Sequence, residues 1–228
     1  VSVSPRPVPT ITGTSTACAG SVNSTYSTQP GMLSYRWTVS AGGIILTTPS
    51  DHSSTITVAW NTPGNQWVSV NYVNTAGCDA LTPAVFNCVV NPFPAPTVSG
   101  PATVCHLSSG NVYRTEGGKT NYTWIVSPGG TITAGGTSAS DSVKVTWTTT
   151  GVKTVQVNYT DANSCTAAQP ATLTVTVHAL PAPSITGSAT GCPGTTGNPY
   201  ATETGMTGYF WSVSPGGTIT SGQGSAAV

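Results

Sequence analysis

The segment Thr55-Ile56-Thr57-Val58-Ala59-Trp60 alternates apolar residues with small or polar ones, and residues 35–39 and 68–72 follow the same pattern. A period of two with β-branched and aromatic residues on one side predicts strands that bury one face. Turn-forming pairs such as Gly42-Gly43 and Pro63-Gly64 separate these strands, and no segment has the period of a helix. The sequence therefore predicts an all-β fold.

This block of strands returns at a fixed distance of 87 residues. Pro9-Thr10-Ile11-Thr12-Gly13 recurs as Pro96-Thr97-Val98-Ser99-Gly100 and as Pro183-Ser184-Ile185-Thr186-Gly187. Aromatic residues keep the same step, in the sets Tyr26/Tyr113/Tyr200, Trp37/Trp124/Trp211, Trp60/Trp147 and Tyr72/Tyr159. Such a period indicates tandem domains, and about seven short strands per repeat with a central Trp are typical of an Ig-like β-sandwich. We expect Trp37, Trp124 and Trp211 at the centres of the cores.

The period divides the chain into six parts. These are the end of a preceding repeat and its linker (1–7), repeat 1 (8–91), a Pro-rich linker (92–96), repeat 2 (97–178), a second Pro-rich linker (179–183) and an incomplete repeat 3 (184–228). Half a sandwich cannot bury its apolar face, so the sequence is expected to be a window from a longer array. The alternative is that the opening strand and the half repeat of neighbouring molecules complete each other.

The linkers contain alternating prolines, as in Pro92-Phe93-Pro94-Ala95-Pro96. Such segments favour extended conformations with little freedom, so they predict semi-rigid spacers. Strands of five to seven residues rise about 3.3 Å per residue, and with its turns each repeat should add roughly 35–45 Å. We therefore expect an extended rod.

Composition excludes several classes of function. Charged residues make up 5% of the chain and the net charge is zero, so there is no basic face for nucleic acid and no acidic cluster for calcium. No apolar run has the length of a membrane span. His52, His106 and His178 do not correspond in the repeat register. Catalysis requires positioned acids and bases, and none are suggested, so neither enzymatic activity nor a cofactor or metal is expected.

Cysteines repeat with the domains. Cys18 and Cys78 correspond to Cys105 and Cys165, and Cys192 is the third copy of the first member. This recurrence favours one disulfide per repeat, Cys18–Cys78 and Cys105–Cys165, with Cys192 unpaired within this sequence. The alternative, a zinc site, would require more ligands than two thiolates per repeat. Persistent disulfides indicate a location outside the cytosol.

Cys88 stands outside this pattern. Its counterparts are Val1 and Val175 on the inward face of the last strand, so we expect a buried thiol that acts as a small hydrophobic side chain. The other interpretation is a reactive or cross-linking cysteine.

Each of the first two repeats combines P-x-[IV]-x-G, a Cys, Y-x-W-x-V-S with a Gly-Gly turn, and V-x-V-x-Y leading to a Cys. This combined motif resembles the PKD-like repeats of giant secreted surface proteins in gliding and related Bacteroidota, including gliding-motility adhesins. The resemblance implies an Ig-like sandwich, export through a type IX secretion system and display on the outer cell surface. Many PKD domains carry an Asp in the turn after the Trp strand, where this chain has glycines such as Gly42 and Gly43, so no role tied to that acid is expected.

Two functions compete at this point. In the first, the repeats are a stalk that carries an adhesive tip away from the cell. In the second, the repeats themselves bind a polysaccharide, a partner protein or copies of themselves as a filament. Trp67 has the outward parity of its strand and is the candidate for stacking on a sugar ring, although such residues more often contact a neighbouring loop.

Modification motifs are also present. Asp141-Ser142-Val143 is similar to the Asp-Ser/Thr-apolar O-glycosylation site of Bacteroidota, which makes Ser142 a candidate. Asn23, Asn121 and Asn158 each begin an N-x-T motif. Such motifs also arise by chance in Thr-rich sequence.

Overall fold

The computed structural model describes residues 3–47 and 53–228. Val1 and Ser2 of the expected opening strand lie outside the described residues, as does His52. The described part contains strands and no helix. The strands are β1 (Thr12–Gly13), β2 (Thr16–Cys18), β3 (Ser21–Ser27), β4 (Ser34–Val39), β5 (Gly43–Ile45), β6 (Thr55–Trp60), β7 (Gly64–Val73), β8 (Ala84–Asn91), β9 (Thr103–Cys105), β10 (Asn111–Arg114), β11 (Thr120–Val126), β12 (Gly130–Gly135), β13 (Ser142–Trp147), β14 (Gly151–Thr160), β15 (Ala171–His178), β16 (Thr186–Gly187) and β17 (Tyr200–Ala201). The all-β prediction is confirmed.

Each of the first two repeats is a sandwich of two sheets. In repeat 1 the sheets have the strand orders β1-β3-β6-β5 and β2-β8-β7-β4, and in repeat 2 they are β10-β13-β12 and β11-β14-β15-β9. The first strand of repeat 1 is split, because β1 joins one sheet and β2 joins the other. The short strands β2 and β9 run parallel to β8 and β15, and the other pairings are antiparallel. This arrangement is the Ig-like topology that the strand pattern predicts.

The predicted strand parity is confirmed in the core. Trp37 and Trp124 are buried, as are the side chains that alternate with polar ones in β6 and β7. Trp60 and Trp147 are buried more completely than Trp37 and Trp124, with no exposed surface. Each repeat has a hydrophobic cluster of its own, one built on Trp60 and the other on Trp147.

A tyrosine and a tryptophan form a hydrogen-bonded pair in each of these cores. The Trp60 indole N–H donates to the Tyr26 hydroxyl over 3.1 Å, and that hydroxyl donates to the Thr14 carbonyl over 3.0 Å. Trp147 and Tyr113 repeat the first bond at 3.2 Å. Buried polar groups require partners, so these bonds let two large side chains remain inside the sandwich.

Two glycine motifs make room for these rings. A Cβ atom at Gly13 would lie 2.7 Å from the Thr25 carbonyl oxygen and against the Tyr26 ring, which explains the glycine in P-x-[IV]-x-G. A Cβ at Gly43 would collide with the Trp60 ring, and one at Gly130 would collide with Trp147. The Gly-Gly turns therefore serve the packing of the core.

The third repeat differs from the first two. Residues Ala179–Val228 form a separate compact unit whose only sheet in this described segment is the pair β16–β17. The Trp211 indole N–H donates to the Ser225 carbonyl, as Trp124 does to Ser140. However, Trp211 is only half-buried, so the prediction of a core position is wrong for this residue. The physical reason is that no second sheet covers it within this unit.

Candidate functional site: the junction between repeats 1 and 2

Cys18 lies at the end of repeat 1 where the chain leaves for the linker. The parallel ladder between β2 and β8 sets Cys18 beside Asn91, the last residue of β8. The next residue, Ala19, donates its backbone N–H to the Asn91 carbonyl over 2.8 Å. Cys18 is therefore held on a β-ladder rather than on a free loop.

Cys165 lies in the tight turn between β14 and β15 of repeat 2. The Asp161 carboxylate accepts the backbone N–H groups of Asn163 and Cys165, each over 2.9 Å. The Asp161 N–H donates to the Cys165 carbonyl, also over 2.9 Å, and closes the turn. An Asp that accepts hydrogen bonds from its own backbone in this way is a common means of fixing a turn.

The structure joins these two cysteines in a disulfide between repeats. The Cα atoms of Cys18 and Cys165 lie 5.6 Å apart, and the residues are separated by 147 positions in the sequence. Cys165 has no exposed surface. The bond therefore connects the corner of repeat 1 beside the end of β8 to the β14–β15 turn of repeat 2, across the Pro-rich linker.

The expected pairing within each repeat, Cys18–Cys78 and Cys105–Cys165, is not the pairing that the structure has. Cys78 precedes β8, which begins at Ala84, whereas Cys18 lies beside Asn91 at the other end of that strand. Seven steps of about 3.3 Å give roughly 23 Å between these ends. A disulfide requires Cα atoms within about 7 Å.

The same geometry separates Cys105 from Cys165 in repeat 2. Cys105 is paired with His178, the last residue of β15, and Cys165 precedes Ala171, the first residue of that strand. Cys78 and Cys105 carry free thiols in the structure, and so does Cys192. The two members of each repeat's cysteine pair thus lie at opposite ends of the sandwich.

Cys88 lies inside the first core, where it is 1% exposed and has a free thiol. Burial raises the pKa of this thiol, although a hydrogen bond with Tyr26 acts in the opposite direction. A buried thiol with a raised pKa is a poor nucleophile, because the thiolate is the reactive form. Its surroundings are those of a core residue.

The linker itself contacts repeat 1. Cys18, Ala19 and Gly20 form the bridged corner of repeat 1. Gly20 has a φ of +75°, and a Cβ atom there would lie 2.9 Å from the Phe93 ring. Phe93 therefore lies directly over the Gly20 backbone, while 40% of its surface stays exposed. This aromatic contact and the disulfide act on the same corner of repeat 1.

A polar clamp holds the other end of the linker where it enters repeat 2. The Glu116 carboxylate accepts the Thr97 backbone N–H over 3.1 Å and the Thr97 hydroxyl over 2.5 Å. It also accepts the Thr115 hydroxyl over 2.7 Å. Burial alone would raise the pKa of Glu116, but the hydrogen bonds from Thr97 and Thr115 outweigh it and lower the pKa to about 2.

This clamp repeats in the other two repeats. Gln29 accepts the Thr10 N–H over 3.1 Å and donates to the Thr10 hydroxyl over 2.7 Å. The Glu203 carboxylate accepts the Ser184 N–H and hydroxyl. Hydrogen bonds from the Ser184 and Thr202 hydroxyls lower the pKa of Glu203 to about 2. The series Gln29, Glu116 and Glu203 is thus a structural element that fastens each linker to the repeat that follows it.

Acid should weaken the clamp of repeat 2 and leave that of repeat 1 intact. The pKa of Glu116 is about 2 when folded and about 4.3 in an unfolded chain. The stabilisation is therefore complete above the unfolded pKa and is lost as the pH falls through the folded one. We expect the free energy of unfolding of repeat 2 to fall more steeply between about pH 5 and about pH 2 in the parent than in Glu116→Gln. Urea titrations at each pH would measure it.

The matched control is Gln29→Glu, which should introduce the same acid sensitivity into repeat 1. Equal slopes for the parent and Glu116→Gln in this pH window would contradict the assignment of the lowered pKa to Glu116.

Trp67 lies on the outer face of repeat 1 and is 40% exposed. The register of β7 and β8 sets it opposite Asn87, between Val85 and Val89, which are 62% and 46% exposed. The positions equivalent to Trp67, Val85 and Val89 are threonines in repeat 2, so this apolar face belongs to repeat 1 alone.

The candidate glycosylation residues have different surroundings. Asn23 and Asn121 are exposed, and Ser142 is half-buried in β13. The Asn158 amide donates to the Ala167 carbonyl over 3.0 Å and its oxygen accepts the Tyr159 N–H over 2.8 Å. Asn71 makes the same pair of contacts without an N-x-T motif, so this arrangement is structural. Modification of Ser142, Asn23 and Asn121 stays a prediction.

Within residues 3–47 and 53–228, no group of three or more His, Cys, Asp or Glu side chains is placed to hold a metal ion. Across the same residues, no helix has the length and apolar character needed to cross a bilayer.

Comparison with protein families matches the PKD-like domain three times along the chain, at residues 4–86, 91–175 and 178–228. These matches take in almost the whole sequence. A search among curated proteins found no match.

Several solved structures match this chain at low identity and low TM-score. The fibronectin(III)-like modules of Clostridium thermocellum CbhA are 11% identical, with a TM-score of 0.35 over 75% of this chain and 95% of that chain. FdeC, an Escherichia coli adhesin, is 12% identical, with a TM-score of 0.37 over 75% of this chain and 64% of that one. Invasin, a bacterial integrin-binding protein, is 17% identical, with a TM-score of 0.33 over 86% and 46%. Likeness at this level carries no information about function.

Proposed function

Because this chain belongs to the PKD-like domain family, with domains in tandem along its length, we propose that it is a spacer segment of an extracellular surface protein. The observation that carries the proposal is the Cys18–Cys165 bridge between repeats. A bond across a junction limits how two domains turn about their linker, and such restraint serves a protein that must hold a distance. It also requires an oxidising compartment, which fits the outside of the cell.

The contacts around the bridge act in the same direction. Phe93 lies on Gly20 at one end of the linker, and Glu116 fastens Thr97 at the other. The linker between them is rich in proline, which limits bending. We extend the proposal to a surface adhesin whose repeats hold a binding tip away from the cell, exported by type IX secretion and of the kind used in gliding motility.

Small-angle X-ray scattering on chains of different length tests the spacer function. Proteins with two, four and six repeats are made by adding copies of residues 92–178 after His178. We expect the maximum dimension to grow linearly, by roughly 35–45 Å per repeat, because strands of five to seven residues and their turns set that length. A dimension that stops growing with repeat number would show that the repeats fold back, and the spacer function would be abandoned.

The second candidate function is ligand binding by repeat 1, and the exposed face of Trp67, Val85 and Val89 favours it. A flat indole with apolar neighbours suits the face of a sugar ring. A polysaccharide screen with the whole chain separates the two functions. Binding that Trp67→Ala abolishes would favour this candidate, and no binding by any glycan of the screen would leave the spacer function alone.

A further inference from the structure

Two of the free cysteines occupy the same local structures as the two bridged ones. Cys105 stands beside His178 on the β9–β15 ladder, as Cys18 stands beside Asn91 on the β2–β8 ladder. The following residue, His106, donates its N–H to the His178 carbonyl over 2.8 Å, the same bond at the same length as in repeat 1. Cys105 is exposed. Cys105 thus occupies the position in repeat 2 that Cys18 occupies in repeat 1, but its thiol is free.

The conformation continues past the cysteine. Gly20 has a φ of +75° and donates to the Trp60 carbonyl, and Leu107 has a φ of +62° and donates to the Trp147 carbonyl. A non-glycine residue rarely adopts this left-handed conformation. Repeat 2 therefore keeps the shape of the bridged corner even where the side chain disfavours it.

Cys78 reproduces the turn of Cys165. The Asn74 side-chain oxygen accepts the N–H groups of Ala76 and Cys78 over 3.1 and 2.9 Å, as Asp161 does in repeat 2. The Asn74 N–H donates to the Cys78 carbonyl over 3.0 Å. The bridged Cys165 is fully buried, whereas Cys78 is only half-buried and its thiol is free.

The two free thiols also lie at the appropriate ends of their repeats. Cys105 is at the end of repeat 2 opposite to Cys165, and Cys78 is at the end of repeat 1 opposite to Cys18. Each therefore lies at the end of its repeat that is away from the Cys18–Cys165 bond.

We propose that Cys105 and Cys78 are halves of further inter-repeat disulfides of the Cys18–Cys165 type. The partner of Cys105 is the turn cysteine of a PKD-like repeat that follows repeat 2. The partner of Cys78 is the corner cysteine of a PKD-like repeat that precedes repeat 1. This inference deepens the proposed spacer function and rests on it, because it requires an array.

Such bridges would overlap along the chain. Cys105 lies inside the segment that the Cys18–Cys165 bond closes, so a bond from Cys105 to the next repeat starts before the first one ends. Each repeat would then be tied to both neighbours, and no junction would depend on its linker alone.

The chemistry is an ordinary dithiol oxidation. The two thiols lose two protons and two electrons, an S–S bond forms, and a small-molecule or protein disulfide is reduced to two thiols. Oxidised glutathione supplies this disulfide in the experiment below.

The test extends the protein by one repeat. Residues 1–178, which form a compact unit with two cores of their own, are followed by a second copy of residues 92–178. This protein contains seven cysteines. After refolding in a glutathione redox buffer, peptide mapping without reduction should find Cys18–Cys165 and a new bond from Cys105 to Cys165 of the added copy. Alkylation in denaturant should then find three free thiols rather than five.

The matched control changes Cys165 to Ser in the added copy alone, which should leave Cys105 alkylated and Cys18–Cys165 intact. An alkylated Cys105 in the unsubstituted extended protein, or a bond from Cys105 to any other cysteine, would overturn the proposal for Cys105.

A second protein tests the other end and does not depend on the folding of the first. A copy of residues 5–91 is placed before Pro5, and Cys18 of that copy is expected to bond to Cys78. A free Cys78 in this folded protein would overturn the proposal for Cys78. Small-angle scattering separates failure of this inference from failure of the spacer function. Chains whose maximum dimension grows linearly but which lack the new bridges would contradict only the inference. Bridged chains that fail to lengthen would contradict the spacer function.

Discussion

Stretching the chain from its two ends should leave the segment between Cys18 and Cys165 unextended as long as their bond is intact. Force passes from Cys18 through the disulfide to Cys165, so the intervening backbone carries no tension even if its repeats unfold. The bridge spans 147 positions. At about 3.5 Å per extended residue, reduction should therefore add roughly 500 Å to the fully stretched length.

Single-molecule force spectroscopy measures this length with and without a thiol reductant. Cys18→Ser should reach the long form without any reductant, since it has no bridge to break. Cys105→Ser is the matched control, because it removes an exposed free thiol and should leave the short form unchanged. If the untreated parent stretched as far as Cys18→Ser, the two repeats would not be covalently joined.

Replacing Trp147 with alanine should destabilise repeat 2 and leave repeat 1 folded. Trp147 has no exposed surface, and its indole N–H satisfies the Tyr113 hydroxyl. Removing a buried indole costs about 3–5 kcal/mol, a large part of the 5–15 kcal/mol that a typical domain has. Because repeats 1 and 2 have separate cores, repeat 2 should unfold in a transition of its own, before repeat 1.

Urea denaturation followed by circular dichroism measures the effect. With a urea dependence of about 1–3 kcal/mol per molar, the midpoint of repeat 2 should fall by at least about 1 M. Trp60→Ala should do the same to repeat 1, since Trp60 makes the equivalent contact with Tyr26. Trp67→Ala is the control on the exposed face and should change the free energy of unfolding by no more than about 0.5 kcal/mol. A Trp147→Ala midpoint within the range of this control would refute the proposed core.

The sequence by itself determined the repeat and the inner face of each strand. Apolar and aromatic residues at every second position can be buried only in one way, so Trp37, Tyr72 and their equivalents in repeat 2 could be assigned to the core from the pattern. The glycine of P-x-[IV]-x-G was visible as a motif, but its reason was not. Only the structure shows that a Cβ at Gly13 would meet the Tyr26 ring.

The clamp could be seen in part. The sequence shows a polar side chain at the same repeat position in Gln29, Glu116 and Glu203, but it does not show what this side chain does. Their partners, Thr10, Thr97 and Ser184, lie nineteen residues away in the sequence, and only the folded chain brings them within hydrogen-bond distance. Trp211 is the opposite case. Its position in the pattern predicts burial, but burial requires a second sheet, which the pattern alone does not supply.

The cysteine pairing was decided by the tertiary structure. The period shows that Cys18 and Cys78 recur together, and it says nothing about which end of the sandwich each one occupies. Strand direction carries that information: β2 pairs parallel with β8, and β7 pairs antiparallel with β8, so the chain reaches Cys78 at the end opposite to Cys18. A disulfide is a short-range bond, so residues at opposite ends of one domain cannot form it, whereas facing ends of successive domains can.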